Sequence, residues 1–408
     1  MPNQAQKKLS TSPYKGVRDF YPDEMAIQNY IFDTWRKVAK SFGYAEYSAS
    51  ILEPTELYRG KTSEEIVNEQ TYTFLDRAGR EVALRPEMTP TAARLVAARH
   101  RELIFPLRWF SIPNLFRYER PQRGRLREHW QLNVDLFGVP DLSAEVEIIS
   151  LAYSVMKAFG AKDNDFEIKI NDRALIGDNR EIIRLLDKKE KIPEEEFKSR
   201  FEKLTSQSIS DFFKKNPSPT IKELMQKLAS IGITNVVFTP TLARGFDYYT
   251  GIVIEIFDTN IANPRSLLGG GRYDNLMDIF GAKKVPAVGF GMGDVTISDF
   301  IKIRGLFPKA SSPADLYLCS VGTSEEVFKE INLLAQEWRS AGLRVIADIS
   351  HRQVSYQIKQ ADRLGIPFII CIGENELVNK EYKIKNLKTG EERSVSSREV
   401  KKLIHCHD

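Results

Sequence analysis

The apolar positions of this chain change period several times, and each change predicts a new element. From Pro22 onward, Ile27, Ile31, Val38, Ala39 and Phe42 recur at three- and four-residue steps, which predicts a helix with one buried face. Gly43 follows at the place where a helix commonly ends in a glycine. The stretch YAEYSASILEP then reads as extended up to Pro54, and residues 71–137 read as strands joined by polar turns. Within them Trp130, Leu132, Val134 and Leu136 alternate with His129, Gln131, Asn133 and Asp135. A strand has a period of two, so Gln131 and Asp135 fall on one face. Arg117 and Glu119 share a face in the same way. The pattern predicts an antiparallel hairpin whose polar face carries Arg, Glu, Gln and Asp, with a long loop at its tip.

Between residues 172 and 236 the character changes. NREIIRLLDKKEKIPEEEFKSRFEKL is dense in charge at helical spacing and predicts an inserted helical module. Strands resume at FTPTLARGFDYYTGIVIEIF, and LLGGGRYD reads as a turn. FPKASSPAD, at 307–315, marks a boundary. Beyond it, ADLYLCSV, LRVIAD and IPFIICIG predict strands separated by helices. Thr323 and Glu326 have capping-box spacing, and Val327, Ile331, Leu334, Ala335 and Trp338 form one apolar helix face. Two more strands and a last helix complete an α/β module. The expected division is a core over 1–312 interrupted by a helical insertion at 172–236, then a domain at 313–408. No internal repeat interrupts this plan.

Composition narrows the function. A length of 408 residues fits two or three domains. Lys+Arg number 59 against 55 Asp+Glu, a net charge of only +4, which argues against a generic polyanion binder. Charged residues at 28% and apolar residues at 42% exclude a wholly disordered chain. Cys319, Cys371 and Cys406 are too few and scattered for a disulfide framework or a zinc knuckle, which fits a reducing cytoplasm. The first residues lack the apolar core of a secretory signal, and no apolar run reaches the roughly 20 residues a membrane helix needs. His405, Cys406 and His407 invite a metal reading, but adjacent residues point apart, so no metal site is expected.

The candidate chemistry lies elsewhere. Arg117, Arg120, Arg123, Arg125 and Arg127 fall within eleven residues. An arginine-rich loop between half-exposed strands is often only a solvated tip. Two other groups weigh against that reading. RPEMT at 85–89 and LARGFDYYTG at 242–251 bring Arg244, Tyr248 and Tyr249 together, a polar-aromatic pocket rather than plain core. Gly269, Gly270 and Gly271 read as a flexible turn, while Gly289, Gly291 and Gly293 stand at period two. Alternate glycines leave one strand face bare, so that a flat ligand, or a closely packed helix, can approach the backbone.

Taken in order, these segments resemble histidyl-tRNA synthetase, a class II aminoacyl-tRNA synthetase, over nearly the whole chain. KGVRDFYPDE is similar to the family's start, and the helix and strand ending at Pro54 are similar to motif 1, which builds the family's dimer interface. RYERPQRGRLRE is similar to motif 2, LARGFDYY and GGGRYD to the two histidine-specific signatures, and 315–408 to the anticodon-binding domain. The resemblance implies an α+β catalytic domain with an antiparallel sheet flanked by helices, a helical insertion and a C-terminal α/β domain. It implies a cytoplasmic homodimer that activates L-histidine with ATP to histidyl-adenylate, releasing pyrophosphate, with Mg2+ expected, and then transfers the histidyl group to the 3′ end of tRNA(His).

By this resemblance Arg117 and Arg244 are the catalytic pair. ATP would meet Arg117, Glu119, Arg125, His129, Gly291 and Gly293. Histidine would meet Glu87, Thr89, Arg117, Gln131, Asp135, Arg244, Tyr248, Tyr249 and Tyr273. The tRNA acceptor end would meet Arg120, Gln122 and Arg127. The chain also departs from the pattern. Thr296 stands where motif 3 has an arginine for the γ-phosphate, and Arg123, Arg125 and Arg272 are the expected substitutes. Leu126 replaces a usual tyrosine, and His129 stands where a phenylalanine often stacks on adenine. Asp135 is often glutamate in the family. Two other functions are compatible in class: the non-catalytic regulatory subunit of ATP phosphoribosyltransferase, and an RNA-sensing domain like that of an amino-acid-starvation kinase. The first typically lacks the anticodon domain and the LARGFDYY signature. The second comes with kinase loops that this chain lacks.

Overall fold

A computed structural model describes residues 9–59, 66–177, 179–187, 189, 192–205, 208–308 and 312–405. The chain divides into two compact units, Met1–Phe307 and Pro308–Asp408.

The first unit begins with α1 (Pro22–Ser41), which starts at a proline whose missing N–H is no loss in a first turn. It buries Ile31, Trp35, Val38 and Ala39, and Gly43 turns the chain away at φ +80°. Then come β1 (Ala45–Glu46), β2 (Leu52–Pro54), α2 (Glu56–Arg59), β3 (Tyr72–Leu75) and β4 (Glu81–Leu84). β2, β4 and β3 form a small antiparallel sheet. α3 (Thr89–Arg99), β5 (Leu107–Ser111), β6 (Asn114–Phe116), β7 (Glu128–Phe137), α4 (Ser143–Ala158) and β8 (Phe166–Asp172) follow. Next are α5 (Arg180–Asp187), α6 (Glu194–Leu204), α7 (Ile209–Phe213), α8 (Pro219–Ser230) and β9 (Val236–Phe238). β10 (Ile252–Asp258), β11 (Ser266–Arg272), β12 (Ala287–Gly293) and α9 (Asp294–Ile303) end the unit.

The large sheet has the order β1-β5-β7-β12-β11-β10-β8-β9, with β6 also paired to β7. It is antiparallel except at its outer pairs, β1–β5 and β8–β9. The alternation in β7 sorts the two faces. Leu132, Val134 and Leu136 join Trp35, Ile148, Val155, Leu224 and Phe300 in a core under α1, α4, α8 and α9. The opposite face carries a second cluster, in which Tyr248, Tyr249 and Tyr273 pack with Phe137, Val253 and residues of α3.

Three expectations change here. The insertion is not one module: Ile182, Ile183, Phe197, Phe201 and Phe212 of α5–α7 form their own cluster. Ile221, Leu224 and Leu228 of α8 instead join the main core, and β9 completes the sheet beside β8. Charge density alone could not separate these helices, because the difference lies in what each apolar face meets. Second, LARGFDYY is an irregular segment before β10, not a strand start. Third, Gly269, Gly270 and Gly271 are the interior of β11, not a turn. Each lies so close to its neighbours that a side chain would collide with them.

The second unit contains β13 (Leu316–Ser320), α10 (Glu325–Ser340), β14 (Val345–Ala347), α11 (Val354–Arg363), β15 (Phe368–Ile372), α12 (Glu374–Asn379), β16 (Tyr382–Asn386), β17 (Glu392–Val395) and α13 (Ser397–His405). Its sheet order is β14-β13-β15-β16-β17, parallel over the first three strands and antiparallel beyond. α10 buries Val327, Ile331, Leu334, Ala335 and Trp338, the face its spacing predicts. Its N-cap is Ser324, not Thr323, and no side-chain cap bond forms; the Ser324 hydroxyl donates to Glu326 instead, at 2.6 Å. Cys406 and His407 lie outside the described residues. Among the described residues no helix is long and apolar enough to cross a membrane.

The glycine interior of β11 gives a stability test. A methyl group on Gly270 would sit 2.7 Å from Phe290 Cβ and 2.8 Å from its Cα. Gly270→Ala is expected to cost about 1–3 kcal/mol through overpacking, measured by denaturant unfolding. An unchanged midpoint would show that β11 and β12 can move apart.

Candidate active site

The site is built on bare backbone. On the face opposite the main core, β7 presents Gln131, Asn133 and Asp135 toward β12, where Gly289 pairs with Asp135 and Gly291 with Asn133. Gly291 in turn pairs with Gly269 of β11. The Gln131 amide lies across Gly291, where a Cβ would come within 2.6 Å of it. Asp135 lies against Gly289 in the same way, and Arg244 against Gly269. The sequence predicts a bare face for a flat ligand. In the structure, site side chains themselves occupy part of that bare face.

The cleft above is lined by Glu87, Thr89, Arg117, Gln131, Arg244, Tyr248, Tyr249, Tyr273 and Gly291, all predicted from sequence. Asn133, Phe246 and Phe290 also line it and were not predicted. One wall consists of tyrosine–carboxylate pairs. The Tyr248 hydroxyl donates to buried Glu87 at 3.0 Å, and the Tyr273 hydroxyl donates to Asp135. Burial, then the facing carboxylate, pushes both phenol pKa values well up. Asp135 is not on the cleft wall and reaches it through Tyr273. Burial raises its pKa to about 7 against the opposing pull of the Tyr273 hydrogen bond, and among the described residues its buried Oδ2 has no hydrogen-bond partner.

The other wall holds two guanidinium groups. Arg117 donates Nε to the Pro86 carbonyl at 2.9 Å; among the described residues its terminal nitrogens bond no protein group. Its guanidinium lies 5.9 Å from the Phe246 ring centre, and that of Arg244 lies 6.0 Å from the same ring. Phe246 thus spaces the two charges and offers each a π face. Burial alone would lower the Arg244 pKa, but paired Glu255, then Tyr249 and Asp187, more than reverse this. Arg244 therefore lines the cleft as a cation. Glu255 looks from sequence like any polar position on a half-exposed strand. Only its pairing opposite Gly269 brings it under Arg244.

The motif 2 loop closes the rim. Glu119 pairs with Arg125 at 3.4 Å, and Arg123 lies 3.8 Å from Asp299. Arg120 and Gln122 are exposed. Arg127, an expected tRNA contact, is instead turned inward. Its guanidinium lies 3.9 Å from the Tyr118 ring centre, and it donates to the Tyr14 hydroxyl at 2.9 Å and to the Glu119 carbonyl at 3.2 Å. It holds the loop rather than presenting charge. Arg272 is likewise unavailable to a phosphate: Glu145 binds it in a fork at 2.6 and 2.7 Å, and it also donates to the carbonyls of Val139 and Asp141. His129 is half-buried outside the cleft lining, its pKa pushed down to about 3 by burial, then by Arg117 and Arg18. A neutral imidazole can stack on a base. Gly293 also lies outside the cleft lining, at the start of α9.

A cleft lined by two guanidinium groups and by hydroxyl–carboxylate pairs suits a zwitterionic substrate joined to a phosphate. Comparison with known proteins agrees. A family model described as Histidyl-tRNA synthetase matches residues 16–229 and 179–294, and one described as Anticodon binding domain matches 315–407. The chain is 41% identical to a histidine–tRNA ligase of Leptospira biflexa, over 94% of this chain and 94% of that protein. It is 36% identical to the histidine–tRNA ligase of Thermoplasma volcanium, over 94% and 95%. The chain belongs to the histidyl-tRNA synthetase family. Its fold is that of solved structures too: histidyl-tRNA synthetase from a Nostoc species superposes with TM-score 0.81 at 23% identity, covering 98% of this chain and 100% of that one.

The start of α9 holds Thr296, the position where the resemblance expects an arginine. Asp294 is fully buried and accepts from Arg18 at 2.6 Å, Gln28 at 3.0 Å and the Trp130 backbone at 3.0 Å. It ties the N-terminal segment, α1, β7 and α9 to one carboxylate. Thr296 is buried one turn further in, with its hydroxyl 3.4 Å from the Gly293 carbonyl.

The raised Asp135 pKa predicts a pH signature. A carboxyl that binds its proton more tightly when folded contributes stability that is fully present below about pH 4 and lost as pH rises toward 7. Wild type is expected to lose stability relative to Asp135→Asn between about pH 4.5 and 8, read from melting temperatures. A difference that does not vary with pH would contradict the assigned protonation.

Proposed function

We propose that the chain activates L-histidine with ATP and transfers the histidyl group to tRNA(His). The observation that carries this is one cleft in which Arg117 and Arg244 flank Phe246 and face the Tyr248–Glu87 and Tyr273–Asp135 pairs. In the first step a histidine carboxylate oxygen attacks the α-phosphorus of ATP, and pyrophosphate leaves. No protein nucleophile is required, so the work is positioning and neutralising charge. Arg117 would bridge the amino-acid carboxylate and the α-phosphate, a bidentate task suited to a guanidinium. Arg244, held charged by Glu255, would meet the phosphate from the other side. Glu119 would read the adenine amino group, with Arg125 swinging from it toward the terminal phosphates, and His129 would support the base. ATP would arrive as its magnesium complex.

The tyrosine–carboxylate wall would face the imidazole and the ammonium. Buried polar groups left unpaired by an isostere discriminate strongly against it. In the second step a terminal ribose hydroxyl of tRNA attacks the adenylate carbonyl and AMP leaves. Arg120 and Gln122, exposed on the loop, would meet the acceptor end, and the second unit would bind the anticodon. We place this work in the cytoplasm, in a homodimer through the motif 1 segment.

One structural relative is described as an ATP phosphoribosyltransferase regulatory subunit/histidyl-tRNA synthetase from Bacillus halodurans, with TM-score 0.66 over 87% of this chain. The complete cation pair and the matched anticodon domain favour the ligase. Histidine-dependent ATP–pyrophosphate exchange decides between them. Wild type is expected to exchange, Arg117→Ala and Arg244→Ala to lose roughly 100-fold or more in kcat/KM, and His129→Ala to raise KM for ATP. A well-folded wild type without exchange would sink the ligase reading.

A further inference from the structure

Thr296 leaves a gap in the charge that the family's pattern places at the start of α9, and the structure shows what stands beside the gap. Of the substitutes expected from sequence, Arg272 is locked by Glu145 and Arg123 leans on Asp299, while Arg125, paired with Glu119, already has its own place at the terminal phosphates in the reading above. A fourth cation, Arg265, is not conspicuous in the sequence. It is the residue immediately before β11. β11 and β12 pair with Leu268 opposite Met292, so Arg265, three residues before Leu268, lies at the end of the sheet where β12 runs into α9.

Contacts with the motif 2 loop place it independently. Gly124, at φ +74°, is the turn of that loop, and a Cβ built there would meet Arg265 Cγ at 3.0 Å and Thr296 Cγ2 at 3.4 Å. Arg265 and Thr296 thus pack under the same glycine. Arg265 donates Nη2 to the Gln122 side-chain oxygen at 3.2 Å, and among the described residues it pairs with no carboxylate. It is half-buried and close to Thr296 and the motif 2 loop, and among the described residues Gln122 is its one side-chain hydrogen-bond partner.

We propose that Arg265 supplies the charge missing at position 296 and binds the terminal phosphates of ATP. This rests on the ligase reading above. A loop arginine reaching in from β11 replaces one projecting from α9, and the motif 2 loop, hydrogen-bonded to it through Gln122, orders it. Thr296 is small enough to leave it room.

The test uses the full-length chain in histidine-dependent ATP–pyrophosphate exchange. Arg265→Ala is expected to raise KM for ATP about 10- to 100-fold, the worth of a charge-assisted hydrogen bond, with KM for histidine changed less than twofold. Arg265→Lys is expected to recover part of the loss, and Thr296→Arg in the Arg265→Ala background to recover at least tenfold. A sulfamoyl analogue of histidyl-adenylate, which lacks the terminal phosphates, is expected to bind Arg265→Ala as tightly as wild type. Equal weakening for ATP and the analogue would mean that Arg265 only props up the loop and would overturn the proposal. So would an Arg265→Ala enzyme with wild-type KM for ATP. In either case wild type still exchanges, so the ligase reading stands; a wild type without exchange overturns both.

Discussion

The site depends on one steric constraint: three adjacent strands approach with no side chains between certain of their backbones. Gly289 and Gly291 of β12 and Gly269 of β11 leave a strip of sheet uncovered. Into that strip lie Asp135 and Gln131, both from β7, and Arg244 from the segment before β10. A Cβ at any of the three glycines would occupy the volume of a site group. The main core, under α1, α4, α8 and α9, buttresses the other face of the same strands and keeps the spacing fixed. Packing at crystal-like density is what makes such spacing reproducible.

Charge is arranged on that floor so that each ionised group has a reason to stay ionised and each neutral one a reason to stay neutral. Glu255 sits beneath Arg244, and burial of the pair is tolerable because each answers the other. Among the described residues Arg117 bonds only a backbone carbonyl, so its fork is left for a ligand. Among the described residues Asp135 has a tyrosine hydroxyl and no cation, and burial raises its pKa. Burial raises that of Glu255 as well, but there Arg244 pulls against it.

The start of α9 shows how a motif can change its residues and keep its position. Asp294 collects donors from the N-terminal segment, α1 and β7, and fixes the end of β12 against the motif 2 strand. The helix start is anchored by that buried carboxylate, and Thr296 beside it is uncharged. The geometry around Gly124 places Arg265 beside Thr296.

Much of the architecture was legible in sequence because it depends on period. α1, the face of α10 and the alternation of β7 are each set by local spacing of apolar residues, and each lies where that spacing puts it. Arg117, Arg244, Tyr248 and Tyr249 were legible because charged and aromatic residues crowd into short segments. Tertiary structure alone decided what depends on a partner distant in sequence. Glycine favours turns in isolation, so only the neighbouring strands make Gly269–Gly271 a buried strand. α8 belongs to the core and α5–α7 to their own cluster because of what their apolar faces meet. Arg127 and Arg272 turn inward, and Arg265 stands by the phosphate loop, because an arginine goes where its partners are. Spacing along the chain fixes which residues share a face, but only folding fixes what that face touches.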